Sequence, residues 1–370
     1  MRGWKKTFAI TMSALSCFCA FSACGANTKN KESAMTITTP TGEVFPYSFP
    51  PQEYLQAGAG ANVHNYVSYM ENPQMGIELS WTCDTAQVAY SKVEYATMKN
   101  YVDALCEEVV GDTCIELFNL YKGTKYYVRV TAYDANDKQI ACAESSFTTT
   151  DLGPRVMNIP DIHNVRDLGG YTTKNGKRTR QGLIYRGGTL RPADVYQSNL
   201  TEEGAAYMSQ VMGIQTEIDL RGEKEAGGIK ESPIPNAELK YCTLGGYADI
   251  VNYKESVRTI FSLLASEDSY PLYIHCTGGA DRTGTVAFLI NALLGVSEKE
   301  LIQDYEFTSF SVYGERNTQT GVYAEMFQQF RAEIEKCAGE TLQEKTENYL
   351  LSFGVKEEEI ANLRTIMLEL

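Results

Sequence analysis

Two rhythms of apolar and polar positions divide the chain. Between residues 75 and 150 apolar and polar residues alternate. Ile77-Glu-Leu-Ser-Trp81 and the stretches 89–95, 126–133 and 143–149 each read as half-buried strands. After Asp151-Leu-Gly-Pro154 the period changes. Helical patterns over 201–212, 253–265 and 283–294 follow apolar runs at 185, 214–220, 239–244 and 271–274, the alternation of an α/β sheet. Beyond Leu294 the pattern predicts helices alone. One opens with the capping box Ser297-Glu-Lys-Glu300; amphipathic ones cover 322–337 and 341–351, and the last covers 357–370. The expected architecture has two domains. An all-β sandwich over 70–150 precedes an α/β domain over 155–370, whose central sheet is flanked by helices.

Composition narrows this picture. With 370 residues, 43% of them hydrophobic, each domain has enough apolar side chains for a core. A net charge of −14 argues against a nucleic-acid partner or a general binder of anionic membranes. Residues 1–24 read as a signal: Lys5-Lys6, then an apolar run over 8–21 that is short for a bilayer span. The run ends in Phe21-Ser-Ala-Cys24-Gly25, which resembles a bacterial lipobox. The resemblance implies export, lipidation of Cys24 and attachment to the outer face of a bacterial cell membrane through that lipid alone. Cys17 is the second choice. Residues 25–69 are expected to be a tether, with an edge strand as the other reading of 35–60. Cys83, Cys106, Cys114 and Cys142 allow two bridges in any of three pairings. No cysteine–histidine spacing suits zinc, so neither a metal nor a cofactor is expected.

The chemistry concentrates in Tyr273-Ile-His-Cys-Thr-Gly-Gly-Ala-Asp-Arg-Thr-Gly-Thr285. A short buried strand leads through a glycine-bearing loop into an apolar helix. Backbone N–H groups and the helix dipole favour an anion in such a loop. The same field stabilises the thiolate of Cys276, and Arg282 can fork two N–H donors onto phosphate oxygens. A buried cysteine that merely precedes an arginine is the plainer alternative.

His275-Cys276-x5-Arg282-Thr283 resembles the signature of the cysteine-based tyrosine and dual-specificity phosphatases. The fuller pattern resembles their bacterial members with a lipid-phosphatase-like loop. Asn164-Val-Arg166-Asp167-Leu-Gly-Gly-Tyr171, Tyr185-Arg186-Gly-Gly188, Asp219-Leu-Arg221 and Asp304-Tyr305 are similar to further motifs of that family, so the resemblance covers about 158–370. It implies that Cys276 forms a phosphocysteine while Arg282 and the loop Thr277, Gly278, Gly279 and Ala280 bind the phosphate. His275 is expected to orient the loop and favour the thiolate, and Thr283 to turn its hydroxyl toward the sulfur. Asp219, Asp249 and Asp281 compete as the general acid; Asp249, on a Gly-Gly-Tyr loop that precedes the cysteine, is the expected one, with Asp281 as a candidate second acid. Arg166 and Arg186 are as well explained by a structural carboxylate, Asp167 or another, as by substrate, and Asp219 by organising Arg221. In the β region, residues 119–132 with Trp81 and Ser146-Phe147 resemble a fibronectin type III domain over 70–150.

These readings imply a phosphoprotein or small phosphate-monoester substrate, with phosphotyrosine first. A phosphoinositide or inositol polyphosphate is the alternative, and a catalytically weak lipoprotein that captures phosphorylated ligands is another. Related loops carry lysine where this one has Ala280, which removes a rim charge suited to several phosphates. Tyr247 or Phe307 is expected to wall the aromatic ring, and Arg186, Arg191 or Lys254 would serve a polyphosphate. Oligomeric state is not legible.

Overall fold

The computed structural model describes residues 35–58, 60–67, 73–85, 87–191 and 198–369. The signal, Cys17, Cys24 and the start of the tether lie outside the described residues. The chain forms two compact units. One takes residues 35–44, 76–117 and 124–149; the other takes 45–75, 118–123 and 150–370.

The first unit is built of strands: β1 (Met35–Thr39), β2 (Gly42–Val44), β3 (Ile77–Cys83), β4 (Tyr90–Ala96), β5 (Leu105–Val109), β6 (Cys114–Leu117), β7 (Lys125–Tyr133) and β8 (Gln139–Thr149). They form a three-stranded sheet in the order β1-β3-β6 and a five-stranded sheet in the order β2-β8-β7-β4-β5. Alternation dictates the core: Ile77, Leu79 and Trp81 point inward on β3, and Tyr126, Val128 and Val130 on β7. Tyr126 stacks on Phe147 at 5.6 Å between centroids. The two bridges that these cysteines would allow are not formed, and no two of the seven described cysteines are joined. The sheet order explains part of this. Cys106 on β5 and Cys142 on β8 are separated by two strands, roughly 14 Å, beyond the reach of a bridge.

The second unit contains a six-stranded sheet made from β9 (Arg155–Val156), β10 (Arg166–Asp167), β11 (Ile184–Gly187), β12 (Thr216–Asp219), β13 (Glu238–Tyr241) and β14 (Leu272–His275). Its order is β13-β12-β14-β11-β10-β9. The first four strands in that order are parallel, and β10 and β9 extend the sheet antiparallel. Gly187, Asp219 and His275 share one register, so three strands end side by side. Ligand chemistry gathers at such ends.

The helices are α1 (Phe49–Ala57), α2 (Glu202–Gln210), α3 (Lys254–Leu264), α4 (Asp281–Leu294), α5 (Glu298–Glu306), α6 (Val322–Glu335), α7 (Leu342–Ser352) and α8 (Glu357–Met367). Residues Thr283 to Leu294 of α4 are all buried, which accounts for the almost unbroken apolar run in its sequence. Gly295, at φ 86°, ends it.

The tether expectation changes here. Residues 45–67 carry α1 and a short turn, Val63–Tyr66, and they pack in the second unit. Tyr47, Tyr54, Leu55 and Val63 form one apolar cluster with Val156, Phe307 and Phe310. The Tyr54 hydroxyl donates to a Glu306 carboxylate oxygen at 2.5 Å. Aromatic residues scattered among Pro, Gly and Ala gave no period to read, yet they supply the apolar area that holds the segment down.

Candidate active site

The loop from Cys276 to Arg282 joins β14 to α4. Its carbonyls are turned outward, each into a partner. Cys276 O meets His275 Nδ1 at 3.1 Å, and Thr277 O accepts from Thr189 N at 2.9 Å. Gly278 O accepts from Asn164 Nδ2 at 2.9 Å, and Gly279 O from Arg186 Nη2 at 2.6 Å. Ala280 O accepts from Gly284 N at 2.9 Å. A peptide whose carbonyl points out points its N–H in. The N–H groups of this bend therefore turn away from those partners, toward the inner side of the loop, the arrangement of an anion nest. Gly279 is obligatory. At φ +64° it passes so close to β11 that a Cβ there would lie 2.2 Å from the Gly187 carbonyl.

Two buried charge clusters hold the loop from behind. In the first, His275 Nε2 lies 3.0 Å from Glu217 Oε1, and Arg191 contacts the same oxygen at 3.2 Å. Arg221 grips Asp219 with Nε at 3.0 Å and Nη2 at 2.7 Å. Burial pushes both carboxylates up, but His275 and the arginines outweigh it and hold Glu217 and Asp219 below the usual range. Glu217, Asp219 and His275 are near enough together to ligate a cation, but the two guanidinium groups already compensate their charge. In the second cluster, Asp304 accepts from Arg166 Nε at 3.0 Å and from Arg186 Nη1 at 2.5 Å. Burial again raises Asp304, and the two arginines more than reverse it. Arg166 and Arg186 are thus structural, through Asp304; Asp167 instead takes Arg155.

Facing the cradle, Cys276 is buried and Arg282 is half-buried at the rim. Arg282 forks onto Glu225 with Nη1 at 2.8 Å and Nη2 at 2.7 Å. That pairing raises Arg282 and lowers Glu225. Burial pulls Arg221 down, but Asp219 and then Glu225 more than offset this. Thr283 is buried, and its hydroxyl has no hydrogen-bond partner among the described residues. Asp281, at the start of α4, accepts from Arg316 Nε at 2.8 Å, Arg316 Nη2 at 3.0 Å and the Tyr247 hydroxyl at 2.6 Å. Asp249 lies on the turn Tyr247–Asn252 and accepts from Asn252 Nδ2 at 2.7 Å. The neighbouring Gly246 approaches the loop: a Cβ on it would lie 3.3 Å from Arg282 N.

A sequence profile described as the tyrosine phosphatase family matches residues 157–369. The chain belongs to the tyrosine phosphatase family. A Cupriavidus necator protein provisionally named a tyrosine-protein phosphatase is 29% identical over 172 residues. That match covers 39% of this chain and 59% of the relative, so the chain spans about six tenths of the curated relative it matches. The core catalytic domain of the PP-IP phosphatase SIW14 from S. cerevisiae, solved with citrate, is 14% identical. It covers 50% of this chain and 94% of its own, with a TM-score of 0.28. The pectate lyase PelI of Erwinia chrysanthemi, with tetragalacturonic acid, is 17% identical over 22% of this chain and 26% of its own, with a TM-score of 0.18. Scores this low carry no argument about the chain.

Within this tyrosine phosphatase family member, three expectations about the pocket change. Tyr247 does not wall it, because its ring is buried and its hydroxyl is shared between Asp281 and Tyr305. Phe307 is likewise buried, against Tyr47 and Phe310. Ala280 is 2% exposed, so its side chain is packed away from the rim. The sequence reading passed over Glu225 and Arg316, and it gave no role to Asn164, which opens a quoted family motif, or to Glu217, inside the 214–220 run. No local pattern marks Glu225 or Arg316. Each acts across a long sequence separation that only the fold closes.

Proposed function

We propose that this family member is a cysteine-dependent phosphate monoester hydrolase whose preferred substrate is phosphotyrosine in a protein. The observation that carries the reading is the row of carbonyls from Cys276 to Ala280 that are each bonded to surrounding residues, which turns the loop's N–H groups the other way, toward its inner side. A dianionic phosphoryl group fits that inner side.

The Cys276 thiolate attacks phosphorus. The S–P bond forms as the P–O bond to the tyrosine breaks, and Asp249 gives its proton to the leaving oxygen. Loop N–H groups and Arg282 hold the three equatorial oxygens, where the charge lies. Water then attacks phosphorus, Asp249 takes its proton, and the S–P bond breaks to release phosphate and the thiolate. Asp281 suits the acid's role less well. Its carboxylate is already engaged by three hydrogen bonds from Arg316 and Tyr247, whereas Asp249 accepts one, from Asn252. Glu225 engages Nη1 and Nη2 of Arg282, so substrate meets the remaining donors or displaces the glutamate.

Charge supports a singly phosphorylated ligand. Arg166 and Arg186 are buried and consumed by Asp304, and Arg191 is turned onto Glu217. Among the described residues Arg282 lies half-buried on the loop itself, and Lys254 is exposed at the start of α3 with its Nζ 5.8 Å from the Phe353 ring centroid. The proposal extends to the rest of the chain: export, a lipid on Cys24, and a fibronectin type III-like first unit acting as spacer or binding module. Trp81 and the Tyr126–Phe147 stack in its core support the last point.

The test is a panel of phosphotyrosine peptide, phosphoserine peptide, phosphoinositide and inositol hexakisphosphate, assayed on the full chain with chelator present. Fastest turnover is expected on phosphotyrosine. Faster hydrolysis of the inositol ligands would replace this reading with the polyphosphate one, and loss of all turnover on chelation would remove the mechanism.

A further inference from the structure

The second unit contains a connection between residues far from the cradle and the turn that carries Asp249. It starts at Asp281, which joins two elements. On one side it accepts the Tyr247 hydroxyl, and Tyr247 heads the Tyr247–Asn252 turn. That turn is also tied to α4 by Tyr247 N donating to Thr285 Oγ1 at 2.8 Å. On the other side Asp281 takes both forks of Arg316.

Arg316 is itself held on every side. Its Nη1 donates to Tyr313 O and Glu315 O, each at 3.2 Å. Its backbone N donates to Ser309 Oγ at 2.9 Å, and its guanidinium lies 3.8 Å from the Tyr323 ring centroid. The same segment reaches the cradle a second time. The Tyr313 ring lies where a Cβ on Gly278 would stand, 2.9 Å from its nearest atom.

What holds the 313–319 segment is the part of the chain expected to be a tether. Asn317 Nδ2 donates to Asn62 Oδ1 at 2.8 Å, and Gln319 Nε2 donates to Ala61 O at 3.1 Å. Glu315 pairs with His64 at 3.0 Å. The Glu306 carboxylate that accepts from Tyr54 also accepts from Thr318 N at 2.8 Å and Thr318 Oγ1 at 2.6 Å. These strap residues lie outside the stretch matched by the family profile.

We propose that the strap of α1 and the turn Val63–Tyr66, acting through Arg316 and Asp281, positions the Asp249 turn over the phosphate cradle. Arg316 and the strap are positioning residues; none touches substrate. The inference rests on the phosphatase reading with Asp249 as the proton donor. An Asp281 that lost Arg316 would hold Tyr247 less firmly, leaving the turn to Tyr305 and Thr285, and Asp249 would sample more geometries unsuited to the leaving oxygen. A substrate with a good leaving group needs little proton donation and should tolerate this, whereas a poor one should not.

The experiment uses the full chain and four proteins: wild type, Arg316→Ala, Arg316→Lys, and the double variant Asn62→Ala/His64→Ala, whose sites are far from the cradle in sequence. Three quantities are measured. They are the ratio of kcat on phenyl phosphate to kcat on 4-nitrophenyl phosphate, the thermal midpoint, and amide hydrogen exchange over residues 247–252. Arg316→Ala is expected to lower the ratio by about tenfold, and the strap variant by about threefold in the same direction. Arg316→Lys should recover part of the loss. Exchange over 247–252 should quicken in both the alanine and the strap variants. A lowered midpoint with an unchanged ratio and unchanged exchange would reduce the strap to a structural brace and overturn the proposal. Should wild type hydrolyse neither ester, the phosphatase reading falls by itself, and exchange alone decides whether the strap reaches the turn.

Discussion

Arg186 and Arg282 approach the same loop from opposite sides. Arg186 is 1% exposed, bound to Asp304 and to the Gly279 carbonyl. The Arg282 side chain is 22% exposed, and its partner Glu225 is 48% exposed. Both pairs are close, charged and well aligned. Burial separates their uses. A buried pair cannot exchange partners without leaving a charge uncompensated in the interior, so it fixes the loop's shape. A rim pair in water costs little to open, so its arginine is available to a new anion. The outer side of the loop is structure, and the inner side is the proposed site.

The largest effect should fall on the inner side. Cys276→Ser is expected to lower turnover by on the order of 10⁴-fold or more while tungstate, an oxyanion of phosphate shape, still binds by calorimetry. Turnover persisting in that variant would break the distinction at once. Next, Asp304→Ala strips the partner from two buried arginines and should cost about 3–5 kcal/mol in urea unfolding, against no more than about 1 kcal/mol for Glu225→Ala. Equal costs would mean that burial is not what separates the pairs.

The same aspartate carries a pH signature. Asp304 is held below its ordinary value when folded, so the unfolded chain binds the extra proton. Its contribution is therefore complete above about pH 4 and is lost as pH falls through the folded value. An Asp304→Asn variant should lack that acid limb. Asp249→Asn comes third, with a loss of about tenfold to a hundredfold on phenyl phosphate and much less on 4-nitrophenyl phosphate. Smallest of all, Glu225→Gln should tighten inorganic phosphate by about two- to fivefold, because the fork of Arg282 no longer has an ionised competitor. Weaker binding instead would show that Glu225 aims the arginine rather than competing for it.

The inner side was legible in the sequence because its chemistry is contiguous. Cys276, the glycines and Arg282 fall within seven residues, between a strand and a helix whose periods are clear. Asp219 with Arg221 was legible for the same reason. The outer side was only half legible. Arg166 and Arg186 announced a buried carboxylate, but Asp304 lies 118 residues beyond Arg186 and competes with nearer candidates such as Asp167. The strap was read as tether because local propensity was the sole guide there. Its order comes from burying Tyr47, Tyr54, Leu55 and Val63 against residues far along the chain, a tertiary effect that no short window contains.

That strap has a consequence for how the molecule is made. Tyr54 and its acceptor Glu306 are 252 residues apart. At a synthesis rate of about 5–20 residues per second, roughly ten to fifty seconds pass between the appearance of one and the other. Throughout that interval four apolar side chains of the nascent segment lack the aromatic pair they finally cover. The strands of 76–117 and 124–149 are complete long before it ends. The second unit, although its residues 45–75 precede most of the first unit's strands, is completed after them.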